Sequence, residues 1–438
     1  MSSFRKFSKA EKSLFVLCVF AVLPMAGVVY FYGKRDAEPE WKIPPAVPRP
    51  NPNGYDFYVA AARATVRFKP EVDFTNDTTT AVHTPGSPYA LKNYSLARRQ
   101  QWLKANAPTF ALVNKGLTTP SMAPDTTTKP TSDWSSLRQL ARDMSVRART
   151  FQMQKQPMRA TMSALDTMQM GQDTTRRGGL IARLVGVAIV ALGRAPLDDW
   201  NKTVNELNAR EARTATSRLE AMIARDQTLS QTQTIAKRDS LLELKGIFDV
   251  QGWRRLSGPL SNSGLAQNAF ELWRSQTISK QTIHDNMIRA LDNQIAIAKM
   301  PYSKSQSALP LSDLDMFTKN FTVTGGRMSQ NEARHATSNT MLLLRLALRA
   351  YIAEHGTAPP TLSALVPDYL KNIPTDVYSD GKPLFYTSQG KTYKLWSVGP
   401  DMTNNGGVPL ARKPGAKTLA PVQNTLSNTG DFVAGLCR

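Results

Sequence analysis

Cysteine is scarce in this chain, which has 438 residues and only two cysteines. Cys18 lies inside an apolar run and Cys437 is the second-last residue. We expect the first in lipid and the second at the far end of the chain, so a disulfide between them is not expected. The sequence also has no CxxC motif or Cys/His cluster at metal-ligand spacing. Cysteine usage therefore leaves the redox compartment open.

Catalytic motifs are absent from the sequence as well. It contains no GxSxG, HExxH, Walker A or GxGxxG pattern. Its four histidines are far apart, and none has a partner at metal-ligand spacing: His83, His284, His335 and His355. We expect these to be surface or structural residues, and we do not expect an enzyme. Paired carboxylates could still assemble in three dimensions, because Asp and Glu occur throughout.

Acidic residues are fewer than basic ones, 34 against 55, which gives a formal charge of +21 and an isoelectric point near 10.0. Such a surplus favours anionic surroundings such as phospholipid headgroups, acidic cell-wall polymers or nucleic acid. The basic residues are scattered along helical segments and show no zinc-finger or RRM signature. We therefore expect a solvated basic surface and no nucleic-acid partner.

One long run lacks charge altogether, from Leu14 to Gly33, and its twenty residues are enough to cross a bilayer as a helix. Basic residues crowd the preceding segment 1–13, which predicts a cytoplasmic N-terminus and an extracytoplasmic remainder. A cleaved signal peptide is the alternative, since the small residues at 24–27 could serve a peptidase. The run exceeds an ordinary signal h-region. We predict an uncleaved single-pass anchor in a bacterial inner membrane, with the lipid bilayer as its partner.

The segment 34–54 carries six prolines, which predicts a stiff spacer. Residues 55–310 show mostly helical periodicity, with the longer helical stretches expected at 158–170, 179–193, 200–236 and 278–298. Arg183 interrupts the apolar run 179–195, so we expect a packed helix there, whose small residues let neighbours approach closely. Six methionines between 144 and 170 fit core filling better than a Cu(I) site.

The sequence pattern changes from Asn331 onward. The pattern up to Gly356 predicts one amphipathic helix that ends at the glycine. A proline turn and a short helix follow, and then short strands joined by glycine turns. The predicted fold class is therefore mainly α: an N-terminal transmembrane helix, a helical extracytoplasmic domain at 55–310 and a small α+β domain at 331–438.

This C-terminal region resembles the globular head of the type II secretion major pseudopilin family (protein G). The matching positions are Gly356, Pro359, Leu362, Leu365, Val366, Pro367, Tyr369, Leu370, Pro374, Thr375, Asp376, Gly381, Lys382, Pro383, Tyr386, Ser397, Val398, Gly399, Pro400 and Asp401. The resemblance covers about 75 residues. It implies a small antiparallel sheet packed on the long helix.

The same resemblance implies a calcium site, because the corresponding pseudopilin loop binds Ca²⁺ through carboxylates and backbone carbonyls. Asp401 falls on the first acid of that loop, Asn404 or Asn405 could supply an amide oxygen, and Asp431 resembles the returning segment that completes the site. Hard Ca²⁺ needs six to eight oxygen ligands of this kind. The alternative is a polar hairpin turn in which the acid and the asparagines bond their own backbone.

The middle of the chain resembles a group of uncharacterised membrane-anchored bacterial helical proteins. LRQLARDMSVRAR (137–149) and ALDTMQMGQDTTRRGGLIARLVGVAIVALGRAPLDDW (164–200) carry this resemblance, which implies no particular activity. The anchor differs from that of a pseudopilin, because no peptidase site precedes it and no glutamate lies within it. About 300 residues also separate the anchor from the head. Polymerisation into a pseudopilus is therefore not expected.

Two functions remain open from the sequence. The first is a membrane-anchored envelope scaffold or interaction protein, linked through its head to type II secretion or pilus-like machinery. The second is an extracytoplasmic hydrolase or ligand-binding protein with its site in the helical domain. A closed core with an exposed apolar patch would favour the first. A pocket lined by convergent acids would favour the second.

Overall fold

The computed structural model describes residues 36–66, 95–124, 133–198, 203–250, 278–308, 311–315, 318–319, 325–409 and 431–434. The predicted tail 1–13 and anchor 14–33 lie outside these residues, as do both cysteines and His83. Within the described residues the chain is mainly α, with 64% helix and one small antiparallel sheet of three strands. The predicted fold class is therefore confirmed at this level, and the anchor stays a prediction.

Eleven α-helices lie in the described residues: α1 (Gly54–Ala64), α2 (Leu96–Ala105), α3 (Ala107–Thr118), α4 (Asp133–Met153), α5 (Pro157–Thr175), α6 (Leu180–Asp198), α7 (Ala209–Ala224), α8 (Leu229–Phe248), α9 (Lys280–Ala298), α10 (Tyr302–Ser307) and α11 (Gly325–His355). Two 3₁₀ turns follow, at Leu362–Leu365 and Val377–Ser379. The strands are β1 (Phe385–Gln389), β2 (Thr392–Ser397) and β3 (Phe432–Ala434).

The chain forms two compact units. The smaller comprises Met1–Pro45, Lys237–Gln294 and Leu309–Val323, and the larger comprises Ala46–Ala236, Ile295–Ala308 and Thr324–Arg438. The C-terminal head thus belongs to the same unit as helices α1 to α7. The predicted domain boundary between 310 and 331 stays a prediction.

Helices α5 and α6 of the larger unit approach closely because glycines lie where they cross. An added Cβ at Gly171 would lie 2.8 Å from the backbone nitrogen of Val190. At Gly193 it would lie 2.7 Å from the backbone nitrogen of Met168. At Gly186 it would overlap the Thr175 side chain. The predicted helix and its close contact through small residues are therefore confirmed.

The helical stretch predicted over 200–236 contains two helix starts in the structure. The Asn208 side chain accepts from the Glu211 backbone N–H at 2.9 Å, and the Glu211 carboxylate accepts from the Asn208 backbone N–H at 3.0 Å. This reciprocal capping box begins α7 at Ala209. The chain then turns after Arg225, and Thr228 caps the next helix by accepting from the Gln231 backbone N–H.

Two large hydrophobic clusters, besides a small one around Tyr302 and Tyr378, fill the larger unit. One contains the aromatic and aliphatic side chains of α1 to α4 with parts of α5 and α6. The other contains faces of α5, α7 and α11 together with the head, from Leu342 on α11 to Leu395 on β2. Met144, Met168 and Met170 are fully buried in these clusters, as core filling predicts, whereas Met153 is exposed.

The head lies on the C-terminal half of α11. That helix begins at Gly325, earlier than predicted, and ends at His355 before Gly356, which adopts a φ of +75°. Strand β1 pairs antiparallel with β2, and β2 pairs antiparallel with β3. The predicted hairpin is confirmed.

In the smaller unit, α8 packs on α9 through Leu241, Leu244, Phe248, Ile283, Met287 and Leu291. Trp41 lies against this cluster, edge-on to the His284 ring with 5.0 Å between ring centroids. The Lys280 ammonium contacts the Glu38 carboxylate and donates to the Phe248 carbonyl at 3.2 Å. Residues 36–45 are thus fixed to the two helices.

Candidate functional site

Arg183 on α6 is the centre of a buried ionic cluster in the larger unit. Its guanidinium donates to both oxygens of Asp226, at 2.8 and 3.2 Å. It also donates to both oxygens of Glu332, at 2.7 and 2.6 Å. Only 3% of the Arg183 residue is exposed. Two bidentate pairs therefore hold α6, the α7–α8 turn and α11 together through one cation.

His335 and Asn339 extend the cluster along α11. The His335 Nε2 atom lies 3.2 Å from Asp226 Oδ2 and 3.2 Å from the Asn339 amide nitrogen. Nε2 can donate to the carboxylate when it carries a proton, or accept from the amide when it does not. The Asn339 amide oxygen accepts from Arg194 at 3.0 Å. The hydrogen-bond network thus has two alternative states at one ring nitrogen.

The pKa of Asp226 shows which effect dominates this cluster. Burial alone would raise it, but the hydrogen bond from His335 and the charge of Arg183 outweigh burial and lower the pKa to about 2. The pKa of Arg183 shows the same balance between burial and its charged partners. Burial acts to lower its pKa, yet hydrogen bonds and charges from Glu332 and Asp226 raise it above the usual value. Asp226 is therefore ionised at neutral pH.

A cavity of about 400 Å³ opens beside the cluster. Its polar wall consists of the ionic cluster, with Ser305, Ser329 and Thr340 nearby. Its apolar wall consists of Ile223, Leu229, Ile297, Met300, Tyr302, Ala333 and Val377. A concave site of this size, mostly apolar with a few convergent polar groups, is typical of small-molecule pockets.

The formal charges lining this cavity sum to minus one when His335 is neutral, because two carboxylates face one guanidinium. The Ser305 hydroxyl, which could otherwise act as a nucleophile, donates to the Tyr302 carbonyl at 2.9 Å. The described residues contain no group of three or more His, Cys, Asp or Glu side chains able to hold a metal ion. The geometry suits recognition of a positively charged or donor group.

The four predicted calcium ligands lie together in the head. Asp431, only 1% exposed, accepts from the backbone N–H groups of Asn405 at 3.2 Å and Gly407 at 2.6 Å. The Asn405 amide nitrogen lies 3.4 Å from Asp401 Oδ2. Asn404 Oδ1 accepts from the Trp396 indole at 2.9 Å and from the backbone N–H of Gly406 at 3.0 Å. Asp431 thus closes the loop through two backbone hydrogen bonds.

These donors fit Ca²⁺ in kind but are few in number. Asp401 and Asp431 supply two carboxylates, and both oxygens of Asp431 already accept backbone hydrogen bonds. Each such oxygen keeps a second lone pair, and the Asn405 amide would present its oxygen after a rotation of its terminal group. Backbone carbonyls would have to complete the six to eight ligands. The calcium site stays a prediction.

The Arg183 cluster was not predicted from the sequence, because Arg183 and Glu332 are 149 residues apart. One local signal did exist: an arginine inside an apolar helix must find anionic partners when that helix packs. The remaining described histidines differ from His335. His284 is buried and lies 3.0 Å from Asp285, whereas His355 is exposed and lies 3.1 Å from the Tyr369 hydroxyl.

A comparison with models of protein families, with curated proteins and with solved structures finds no match to this chain. Both resemblances drawn from the sequence therefore rest on the residues quoted for them. What they imply about partners and ligands is a proposal.

Proposed function

We propose that this chain is a membrane-anchored protein of the bacterial envelope that binds a small ligand in the cavity beside Arg183. The ligand carries a cationic or hydrogen-bond-donating head and an apolar body. One observation carries the proposal: two carboxylates and a histidine converge on one side of a 400 Å³ cavity whose other side is apolar. Convergent acids in a pocket favour a binding protein over a closed scaffold.

Binding fits the cluster better than hydrolysis does. A general acid needs a pKa near the working pH, but the pKa of Asp226 is lowered to about 2. Glu332 is held at both oxygens by Arg183. Asp226 is therefore unsuited to proton transfer at neutral pH, and both carboxylates are held in place by Arg183. Fixed charges provide orientation and selectivity in a binding site.

The experiment uses the full chain in neutral detergent and a panel of arylalkyl amines with alcohols and carboxylates of the same skeleton. Titration calorimetry should show the amines binding at least tenfold more tightly than the matched carboxylates. Ala336 lines the cavity, so Ala336→Phe places a bulky side chain there while keeping every residue of the ionic cluster, and it should abolish binding. The control Ala296→Phe makes the same change at an exposed position of α9 and should leave binding unchanged.

Two results would contradict this proposal. The first is that no compound of the panel binds the wild-type chain. The second is that Ala336→Phe binds the amines as the wild type does, which would place them elsewhere. Loss of amine preference in Glu332→Gln, with the fold retained by circular dichroism, would support the assignment of the polar wall.

A scaffold or interaction role is the second candidate, supported by the outer face of α6. Ile181 and Leu184 are 51% and 45% exposed, and Ala188 and Ala191 continue the same face. Helix α6 is the one helix within the described ranges that is long and apolar enough to cross a membrane, and half of its most apolar window is buried. Buried core helices of globular proteins have the same length and apolar composition, so these two properties alone are weak evidence that α6 spans a membrane.

The link to type II secretion or pilus-like machinery rests on the resemblance of the head. Photo-crosslinking in cells from position 184 tests the interaction role, with position 153 as an exposed control on α4. We expect a discrete adduct from position 184 only. Identical adducts from both positions, or none from either, would argue against a docking face on α6.

A further inference from the structure

A second cavity of the larger unit, of about 710 Å³, gathers three arginines that are dispersed in the sequence. Arg176 and Arg177 follow the end of α5, and Arg225 follows the end of α7. The rest of the lining is neutral, from Pro48, Pro50, Pro120, Ser121, Met122, Gln227, Gln231, Thr234 and Ile235. Among the described residues that line this cavity none is acidic, so the formal charge of this lining is positive.

Only one of these three arginines forms an ion pair with a carboxylate of the described part of the chain. Arg176 donates to Asp173 at 3.0 Å, and this carboxylate neutralises it. Arg225 bonds a backbone carbonyl, that of Ala221, at 3.0 Å. Within the described ranges, neither Arg177 nor Arg225 forms an ion pair with a carboxylate. A cavity wall with two uncompensated guanidinium groups favours an anion of about two charges.

The backbone conformation at Arg177 is one that an arginine side chain does not favour. Its φ is +53°, the left-handed region in which glycine is the usual residue after a helix. A glycine, Gly178, stands directly next to it in the chain. The Arg177 backbone N–H donates a hydrogen bond to Gln227 Oε1 at 2.8 Å. This hydrogen bond does not involve the Arg177 side chain. Strain retained for a side chain points to a role for that side chain.

Two of the neutral lining residues, Gln227 and Ser121, donate to protein groups outside the lining. Gln227 donates to the Gly178 carbonyl at 3.1 Å and to Thr232 at 2.9 Å, and the Ser121 hydroxyl donates to the Asp173 carbonyl at 3.0 Å. Recognition would therefore fall to the arginines. Guanidinium groups bind phosphate oxygens in bidentate fashion, and a phosphomonoester carries about 1.5 to 2 negative charges at neutral pH.

We propose that the cleft of Arg176, Arg177 and Arg225 is a binding site for a phosphomonoester or inorganic phosphate group, separate from the amine cavity at Arg183. The charge of the ligand matches the two uncompensated guanidinium groups. The same group is offered by a soluble phosphate and by a phosphatidate headgroup. The site does not depend on the proposed function, because none of the three arginines lines the Arg183 cavity.

The decisive variant is Arg177→Gly, because it separates binding from folding. Glycine relieves the positive φ and keeps the backbone bond to Gln227, so the variant should melt at or above the wild-type temperature. Phosphate binding, measured by calorimetry on the full chain in neutral detergent, should fall at least tenfold. Arg225→Gln should weaken it similarly. Arg210→Gln removes the same charge from an exposed position of α7 and should have no effect.

Phosphatidylcholine vesicles with and without phosphatidate separate the two sources of the phosphate group. Competition between phosphatidate vesicles and inorganic phosphate, lost in Arg177→Gly, would assign the site to headgroups, and absence of competition would assign it to soluble phosphate. The proposal is overturned if the wild type binds neither probe, or if Arg210→Gln weakens binding as much as Arg177→Gly does.

Discussion

Replacing Arg183 by methionine should destabilise the larger unit and reverse the sign of its pH dependence. Methionine matches the length of the buried stem but leaves Asp226 and Glu332 without their shared cation. Removing one partner of a buried ion pair costs about 3–5 kcal/mol, because the remaining charge stays buried and uncompensated. We expect Arg183→Met to lose unfolding free energy in this range at pH 7.

The pH dependence follows from the direction of the pKa shift. In the wild type the pKa of Asp226 is lowered from 3.8 to about 2. The lowered pKa contributes about 2 kcal/mol of stability, which is fully present above 3.8 and is lost as the pH falls towards 2. Without Arg183, burial is left to raise the pKa of Asp226. The variant should therefore become more stable as the pH falls from 7 to 5.

The assay is urea unfolding of the full chain followed by tryptophan fluorescence at pH 7, 6 and 5. Arg213→Met is the matched control, because its pair with Glu354 is partly exposed and worth about 1 kcal/mol or less. Adding Asp226→Asn and Glu332→Gln to Arg183→Met should recover about 2 kcal/mol by removing the orphaned charges. The reasoning would be refuted if Arg183→Met lost less than about 1 kcal/mol of unfolding free energy. It would also be refuted if the unfolding free energy of the variant fell as the pH was lowered from 7 to 5.

Three further predictions follow from other parts of the chain. Gly186→Ala should lower the free energy of unfolding in urea by about 1–3 kcal/mol, because the added methyl group overlaps atoms where α5 and α6 cross. The control Gly246→Ala has nothing within 4 Å of its added Cβ and should raise the free energy of unfolding by about 0.5–1 kcal/mol. Equal effects of the two changes would contradict the close contact. If the head binds calcium, the full chain should melt several degrees higher in Ca²⁺ than in EDTA, and Asp401→Asn should remove the difference; superimposable melts would leave a hairpin turn. If the predicted topology is right, a membrane-impermeant maleimide should label Cys437 in spheroplasts without lysis, and labelling only after lysis would contradict it.

The parts of the fold that the sequence predicted are those governed by local rules. Helix α11 repeats apolar residues at helical spacing and stops at a glycine, and the hairpin of β1 and β2 turns at Gly390 with a φ of +59°. The break between α7 and α8 was missed because helical periodicity continues through it. The capping box at Asn208 and Glu211 is readable in the sequence and would have marked the start of α7.

The candidate sites depend on contacts that no local pattern specifies. Arg183 meets Glu332 only because α6 and α11 belong to one unit, and Arg177 approaches Arg225 only because α5 and α7 end at the same cavity. Scattered basic residues in the sequence become a positive cleft through the fold alone. The loop of the head was more predictable, since the resemblance placed Asp431 beside the segment that includes Asn405.

Helix α11 connects the candidate site to the head, and its burial argues against treating the head as a separate module. Leu344 and Leu348 are fully buried in a cluster that includes both α7 and the head. Near its start, the same helix carries Glu332 and His335 into the Arg183 cavity. A head cut free at residue 331 would expose the face that packs on α7. The head and the cavity therefore share one helix, α11, and belong to one packed unit.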